Sequence, residues 1–382
     1  MDFTFSEDQN AIRDLAHQIF TDRATDEFLL EFSRSGKTYD DTLWHTLAEQ
    51  GLLGICIPEA FGGTDLGFVE LCLILEEQGR RVAPTPLFSS LVLGGLPIAR
   101  FGTEAQKTQW LTPLASGDIK LTAAIAELGM TAAAAPVVRA EAKDGNWVLN
   151  GHKACVTDGN IADAMLVPAV DQDGKTTVFI VEANAKGLTR DTQRTSLGEN
   201  EAALTFSNVS VDAGAVLGKP GEGACIIEWL EQYADAALCA MQVGVTEEAL
   251  RRTAAFTGER KQFGMPIGSF QAVAMRAADA YIDVEAMRST YWQAMWRLNE
   301  GLRANAEVRA AKWWACQGGH RVVHATQHLH GGMGSDVEFP IHRFFLWAKQ
   351  IGFMLGGGNV QLQKLGALFA ADNTVGSAAL DV

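Results

Sequence analysis

A short segment in the C-terminal half of the chain brings together residues that suit a nucleotide. It reads ERKQFGMPIGSFQ over Glu259–Gln271 and places Arg260, Phe263 and Gly264 within five residues. The guanidinium carries a permanent charge and planar donors that fit a phosphate or pyrophosphate. The aromatic ring could lie against an adenine face, and the glycine lets a ligand approach the backbone. The alternative is an ordinary helix–turn–helix whose second helix begins at Pro266, and spacing alone favours that alternative.

A group of histidines is the second candidate for chemistry. His320, His324 and His328 fall four residues apart, with His330 close behind, and such spacing can hold a metal. No acid or cysteine accompanies them at motif spacing, and their helix leads directly into a glycine pair. Helix packing beside a nucleotide therefore explains the group better, and we predict no metal site.

Bulk composition limits the possible partners and the cellular location. The chain has 382 residues, a formal net charge of −15 and 47% hydrophobic residues, which is typical of a soluble globular protein of two or three domains. Its acidity argues against nucleic acid and anionic membrane surfaces. The polar N-terminus is unlike a signal peptide, no apolar run reaches membrane-spanning length, and six scattered cysteines lack a C-x-x-C pair. We expect a cytoplasmic protein.

The elements that would position these residues change character twice along the chain. Helical periodicity, opened by a capping box at Ser6 and Gln9, continues to about residue 118. Short runs rich in Val, Ile, Thr and Phe follow, separated by turn residues. From Ile226 onward the pattern predicts four long helices, at Ile226–Thr257, Phe270–Asn299, Ala304–His328 and Pro340–Ala371. The predicted fold is α+β: an N-terminal helical domain (1–118), a β-barrel-like middle domain (119–224) and a C-terminal four-helix bundle (225–382).

Motifs in this order resemble those of the acyl-CoA dehydrogenase family over essentially the whole chain. They are FSEDQ, LAEQGLLGICIPEAFGG, ILEEQGR, GTEAQKTQWLTPLASGD, GHKACVTDG, ERKQFGMPIGSFQAV, QHLHGGMG and FPIHRF. The resemblance implies that same helical–β–helical fold and the FAD-dependent α,β-desaturation of an acyl-CoA thioester. It further implies a carboxylate base for the α-proton, electron transfer to an electron-transferring flavoprotein, and an FAD shared across a dimer interface.

The resemblance assigns one half of that FAD site to well-matched residues. Arg260, Phe263 and Gly264 match the family segment that reaches the ADP part of the cofactor in a neighbouring subunit. Other matches at the ADP end are Gln271, Gly331, Gly332 and, where the family usually has glutamine, His328 with Gln327 just before it.

The half that would hold the flavin ring matches less well. Within Ala126–Ala133, Glu127 and Gly129 are retained, but the hydroxyl- and carboxylate-bearing positions have become Ala132 and Ala133. Farther along the chain, Cys155 replaces the family's tryptophan, while Thr157 is retained and could donate toward the ring. A packed β-hairpin without a ligand remains an equal alternative here.

The catalytic base is the largest departure from the family. The family's usual glutamate would fall within Gln350–Gly358, which contains no acid, and a second branch's glutamate corresponds to Ala234. Asp235, the next residue, is the remaining candidate, and half-burial would raise its pKa; a solvent-facing or helix-capping aspartate is the alternative.

We therefore expect a subunit of a heteromeric acyl-CoA dehydrogenase, of α2β2 type, acting on a bulky steroid side-chain CoA thioester. The chain would supply the ADP half of the site, and a paralogous subunit would supply the ring pocket and base. Two alternatives stay open: a self-sufficient homotetramer that uses Asp235 as its base, and a flavin-free structural paralogue.

Overall fold

The computed structural model describes residues 4–129, 133–198, 200–372 and 374–375. Within these ranges, no helix combines the length and the hydropathy needed to cross a membrane. Ala132, one of the alanines singled out in the ring half, lies outside the described residues.

The N-terminal region is helical, as predicted, and its helix starts are set by local side-chain caps. Ser6 Oγ accepts from the Gln9 backbone N–H at 3.1 Å, and Gln9 Oε1 accepts from Ser6 N–H at 3.0 Å. Thr103 and Gln106 repeat the same capping box. The helices are α1 (Glu7–Arg23), α2 (Asp26–Ser35), α3 (Asp41–Glu49), α4 (Phe68–Arg81), α5 (Leu96–Phe101) and α6 (Glu104–Ala115), with a π-helical segment, Phe88–Gly95, directly before α5.

Among the described residues in the middle of the chain, eight strands form one mixed sheet. They are β1 (Leu121–Ala123), β2 (Arg139–Lys143), β3 (Asn146–Val156), β4 (Ala164–Val170), β5 (Thr176–Glu182), β6 (Leu188–Arg194), β7 (Asn200–Asp212) and β8 (Val216–Leu217). The order is β6-β7-β3-β2-β4-β5-β8, and β1 pairs with β4 in parallel. Phe179, Leu204 and Phe206 belong to the apolar core of this sheet. The pattern did not predict β6, because this edge strand is polar and mostly exposed.

The C-terminal region is helical again, with one correction to the predicted four helices. Its elements are α7 (Gly223–Glu259), β9 (Lys261–Gln262), β10 (Met265–Pro266), α8 (Gln271–Asn299), α9 (Asn305–Leu329), α10 (Ile341–Phe353) and α11 (Gly358–Ala371). The predicted fourth helix is wrong as a single helix, because it is interrupted between Phe353 and Gly358. Leu355 and Gly356 adopt φ of 57° and 98° there, which a helix cannot accommodate.

The chain divides into two compact units. The helical unit contains the described residues up to Gly36, Phe68–Ala83 and those from Asp235 on; the sheet unit contains Lys37–Gly67 and Pro84–Ala234. The domain limits at residues 118 and 224 therefore stay a prediction.

Inside the helical unit, α4 and α7 cross with their backbones in contact. A Cβ at Gly244 would lie 1.9 Å from the Glu76 carbonyl oxygen, and one at Gly79 would lie 2.2 Å from that of Met241. Only glycine fits at both positions of this crossing.

Candidate cofactor and active site

The segment around Arg260 is a two-residue β-hairpin at the end of α7. Phe263 and Gly264 occupy its turn with φ of 54° and 81°, as a type I′ turn requires. The Arg260 backbone is fixed on both sides: its N–H donates to the Phe256 carbonyl, and its carbonyl accepts from Ile267 N–H, each at 2.8 Å. The alternative with Pro266 starting the next helix is wrong, since Pro266 lies in β10 and α8 begins at Gln271.

The hairpin is presented to solvent. Phe263 is 93% exposed, an unusual state for a large aromatic side chain. Arg260, Gly264 and Gln271 are exposed as well. This hairpin offers two cations, Arg260 and Lys261, an aromatic ring and an open backbone to a ligand or another chain.

The loop after α9, residues 331–335, is the second exposed segment. Gly331 and Gly332 are exposed, and a Cβ on either would meet no other atom within 4 Å. Gln327 Nε2 donates to the Gly334 carbonyl at 3.0 Å and so holds the loop against α9, while His328 faces solvent. The loop therefore has a fixed base and an open backbone surface.

In the sheet unit, a bulge at the end of β3 positions Thr157. The pairing of β3 with β7 shifts register between Lys153 and Val156, and Cys155 in between has a φ of 50°. Cys155 is exposed, its N–H donates to Gln193 Oε1 at 2.9 Å, and the Thr157 carbonyl accepts from Thr122 Oγ1 at 2.7 Å.

Glu127, retained from the family motif, is a buried structural group in this chain. It accepts from Lys153 Nζ at 2.6 Å and from the backbone N–H groups of Val137 and Val138 at 2.6 and 3.2 Å. Burial lowers the pKa of Lys153 to about 8, against the opposing effect of Glu127. Ala133 is buried in the same region of the unit.

Asp158, the residue after Thr157, contacts the π-helical segment. Its Oδ2 accepts from the fully buried Ser89 hydroxyl at 2.5 Å. Burial raises the pKa of this carboxyl to about 6, the hydroxyl lowers it, and Glu201 raises it further. A carboxyl that titrates near neutrality thus lies beside the residue expected at the flavin ring.

The interruption between α10 and α11 is held by side chains of α9 and α11. Lys312 Nζ donates to the Ile351 carbonyl at 2.7 Å, and Gln361 Nε2 donates to the Gly356 carbonyl at 3.2 Å.

Asp235 is connected to this interruption through Arg309. Arg309 Nη1 donates to Gln361 Oε1 at 3.3 Å and to Asp235 Oδ2 at 2.5 Å. Asp235 is 0% exposed, so it is neither half-buried nor solvent-facing. It forms a buried ion pair in the interior of α7.

The exposed histidines face an ammonium group. Lys349 Nζ contacts His320 Nδ1, and it lies 2.9 Å from His324 Nε2. Burial, and then the charge of Lys349, lower the pKa of both imidazoles. Among the described residues no three His, Cys, Asp or Glu side chains are grouped to hold a metal ion.

Comparison with known proteins identifies the family. Models of the acyl-CoA dehydrogenase N-terminal, middle and C-terminal domains match residues 6–118, 123–212 and 221–368. The chain belongs to the acyl-CoA dehydrogenase family. Members of this family are FAD-dependent oxidoreductases.

Related proteins include mycobacterial members of the family. The chain is 36% identical to acyl-CoA dehydrogenase FadE27 of Mycobacterium tuberculosis, over 96% of this chain and 98% of that protein. Among solved structures, the ChsE4–ChsE5 complex of M. tuberculosis matches with a TM-score of 0.92 and 36% identity, covering 97% of this chain and 100% of that one. A variant of the Tcur3481–Tcur3483 steroid ACAD matches with a TM-score of 0.89 and 43% identity, covering 96% of this chain and 98% of that one.

The residues of this acyl-CoA dehydrogenase fit one part of FAD better than the other. An exposed guanidinium, an exposed ring and open glycine backbone suit a pyrophosphate and an adenine. In the other half, the Glu127 carboxylate already accepts hydrogen bonds from Lys153 Nζ and from the backbone N–H groups of Val137 and Val138. Thr157 keeps a hydroxyl there, whereas Cys155 offers no aromatic face.

Two contacts in these regions were not predicted from the sequence. Asp158 and Ser89 are 69 residues apart, and neither belongs to a periodic pattern that would pair them. The sequence places His330 only near the histidine group, whereas in the structure its ring stacks on Phe256 with centroids 4.4 Å apart. Its position directly before the glycine pair was the one available signal.

Proposed function

We propose that this chain is the cofactor-completing subunit of a heteromeric acyl-CoA dehydrogenase. It supplies the ADP half of an FAD site, and a paralogous subunit supplies the flavin-ring pocket and the catalytic base. The observation that carries the proposal is an asymmetry between the two halves of the site. The ADP half is open and exposed, whereas the ring half has its Glu127 carboxylate in a buried ion pair and a cysteine in place of an aromatic wall.

The ADP half supports the proposal by its exposure. Arg260 would pair with the pyrophosphate and Phe263 would cover the adenine, while Gly331 and Gly332 let the cofactor approach the backbone.

Three further residues lie beside these segments. Gln271 lies at the start of α8, after the hairpin, and Gln327 holds the glycine loop by a hydrogen bond to the Gly334 carbonyl. His328 is exposed beside that loop and replaces the family's glutamine as a contact.

The absence of a base at the family positions supports the assignment of chemistry to a partner. No Asp or Glu occurs between Glu338 and Asp372, the stretch that contains the interruption after α10. Asp235, the alternative base, would have to break its buried pair with Arg309 before accepting a proton, and that costs about 3–5 kcal/mol. The self-sufficient homotetramer is therefore less well supported than the heteromer.

The similar structures support a substrate class for the proposal. One of them is described as a steroid ACAD of two named components, and a second is a complex of two differently named chains. We infer a bulky steroid side-chain CoA thioester as substrate, an α2β2 assembly, and an electron-transferring flavoprotein as electron acceptor. Bound FAD supplies the hydride acceptor; the residues of this chain bind and orient its ADP part.

The proposal is tested by producing the chain alone and together with a paralogous acyl-CoA dehydrogenase subunit from the same genome. We expect the lone chain to be colourless and inactive, and the pair to hold one FAD for every two chains and to oxidise the thioester. Full FAD occupancy and turnover by the lone chain would exclude the shared site. A pair that stays colourless would favour the structural paralogue.

A matched pair of variants tests the assignment of the hairpin. Arg260→Ala should weaken FAD binding by the pair about 10- to 100-fold, since a charge-assisted contact to phosphate is lost. Lys261→Ala removes the neighbouring exposed cation and should leave the dissociation constant within about twofold. Equal effects of the two substitutions would mean that only general positive charge matters.

A further inference from the structure

The imidazole of His330 is the link between the two exposed segments of the ADP half. It is 5% exposed, although its neighbours Gly331 and Gly332 are open to solvent. Its Nδ1 lies 2.8 Å from the Thr326 carbonyl in the last turn of α9, and its ring stacks on Phe256 of α7, 24° from parallel. Phe339 approaches the same ring at 5.4 Å.

Phe256 connects this stack to the hairpin. Its carbonyl accepts the Arg260 N–H, so one residue fixes the backbone of Arg260 and the ring of His330 at the same time. On the other side of the stack, the chain passes from His330 directly into Gly331, which turns with a φ of 61°. The stack of Phe256 on His330 therefore connects the Arg260 hairpin to the glycine loop.

We propose that His330 is a positioning residue for the ADP half-site, setting the spacing between the Arg260 hairpin and the glycine loop. This inference rests on the proposed function, because it concerns the same half of the FAD site. When a ligand binds to two chain segments at once, a change of about 1 Å in the distance between the segments lowers its affinity steeply.

The imidazole makes two separable interactions at this position, a hydrogen bond and a ring stack, and the positioning role depends on the stack. A carbonyl oxygen only accepts, so Nδ1 carries the proton and donates to Thr326. Burial lowers the pKa of His330, against the opposing effect of this hydrogen bond, and so favours the neutral ring. The flat neutral ring can then lie against Phe256 in an apolar setting. Phenylalanine would keep the stack without the donor, and glutamine would keep a donor without the ring.

Three substitutions in the co-produced pair separate these contributions. His330→Ala should weaken FAD binding to the apo pair by about 10-fold or more, with assembly retained in size-exclusion chromatography. His330→Phe should stay within about threefold of the unmodified pair, and His330→Gln should be as weak as alanine. The dissociation constant is measured by flavin fluorescence, and the Tm of each apo pair is measured beside it.

The comparison with Tm distinguishes positioning from ordinary packing. Positioning predicts that the Phe variant keeps its FAD affinity even where its Tm falls through loss of the Thr326 hydrogen bond. Affinity losses that simply follow Tm across all three variants, or unchanged affinity in His330→Ala, would overturn the inference. If His330→Ala fails to assemble, the comparison of Phe with Gln decides.

Failure of this inference is distinguishable from failure of the proposed function. If Arg260→Ala weakens FAD binding while His330→Ala does not, the shared site stands and the positioning role falls. If the unmodified pair binds no FAD, the proposed function itself is wrong.

Discussion

Asp235 shows at the level of one residue how burial determines what a carboxylate can do. Asp235 lies in the middle of α7, and its Oδ2 is 2.5 Å from Arg309 Nη1. It has no exposed surface from which to reach a substrate. Through Arg309 and Gln361 it is connected to the interruption after α10. Its burial and its pairing with Arg309 therefore fit a structural role.

This role predicts a stability defect in Asp235→Asn. The substitution breaks the buried ion pair of Asp235 with Arg309, and we expect a loss of about 3–5 kcal/mol in the free energy of unfolding, measured by urea titration. The double variant Asp235→Leu/Arg309→Met removes both charges at similar volume and should recover most of that loss. A stable Asp235→Asn protein that has lost only turnover would restore the catalytic alternative.

Asp158 is the carboxyl in the sheet unit whose titration falls near neutrality. Its pKa is raised from an ordinary 3.8 to about 6. The pKa of Asp158 is higher in the folded protein than in the unfolded chain, so the folded state favours the protonated carboxyl. Its contribution to the free energy of unfolding is fully present below about pH 4. That stability is lost as the pH rises through about 6.

Asp158→Asn should remove this dependence. We expect the difference in the free energy of unfolding between the variant and the unmodified chain to grow by about 1–2 kcal/mol in favour of the variant as the pH rises from about 4 to about 7. This figure allows for partial exposure of the carboxyl. Ser89→Ala removes a hydrogen bond that lowers this pKa and should move the titration to higher pH. Unfolding curves collected across that pH range would show both effects, and parallel profiles for all three proteins would contradict the assignment.

At the level of elements, the interruption between α10 and α11 depends on Gly356. Its φ of 98° lies where side-chain-bearing residues are strained, and a Cβ there would lie 2.8 Å from Val360 Cγ1. We expect Gly356→Ala to lower the free energy of unfolding by about 1–3 kcal/mol. The measurement is chemical unfolding followed by circular dichroism.

Gly352 is the matched control for that prediction. It lies inside α10, and a Cβ there would meet no atom within 4 Å. Gly352→Ala should be neutral or stabilising by up to about 1 kcal/mol, because alanine has the higher helix propensity. If both alanine variants lose equal stability, the strained turn is not the cause.

The predictability of the elements follows from how local their determinants are. The capping box of Ser6 and Gln9 lies within one helical turn, so the sequence alone predicted it. The polar strand β6 carries no alternating pattern, and its pairing with β7 is decided by tertiary structure. The glycines at 356–358 were a visible signal for the interruption of the fourth helix, but the surrounding apolar residues continued the helical period across them.

At the level of the whole molecule, the helical–β–helical order was predicted and is confirmed. The candidate site is less predictable. Family motifs predict Arg260 and the glycine pair as site residues, which stays a prediction, but the stack of Phe256 on His330 and the hydrogen bond of Ser89 to Asp158 join distant parts of the sequence. Such contacts depend on packing, and a motif does not encode them.

The exposed Phe263 has a thermodynamic consequence for such an assembly. In the lone chain this ring is exposed to solvent, and the cofactor bound by a partner subunit would cover it. Because the same hairpin would then take part in subunit association and in cofactor binding, the two equilibria are linked. By reciprocity, FAD would tighten the pairing of the chains by the same factor by which pairing would tighten FAD binding, so flavin supply would regulate how much of the proposed complex exists.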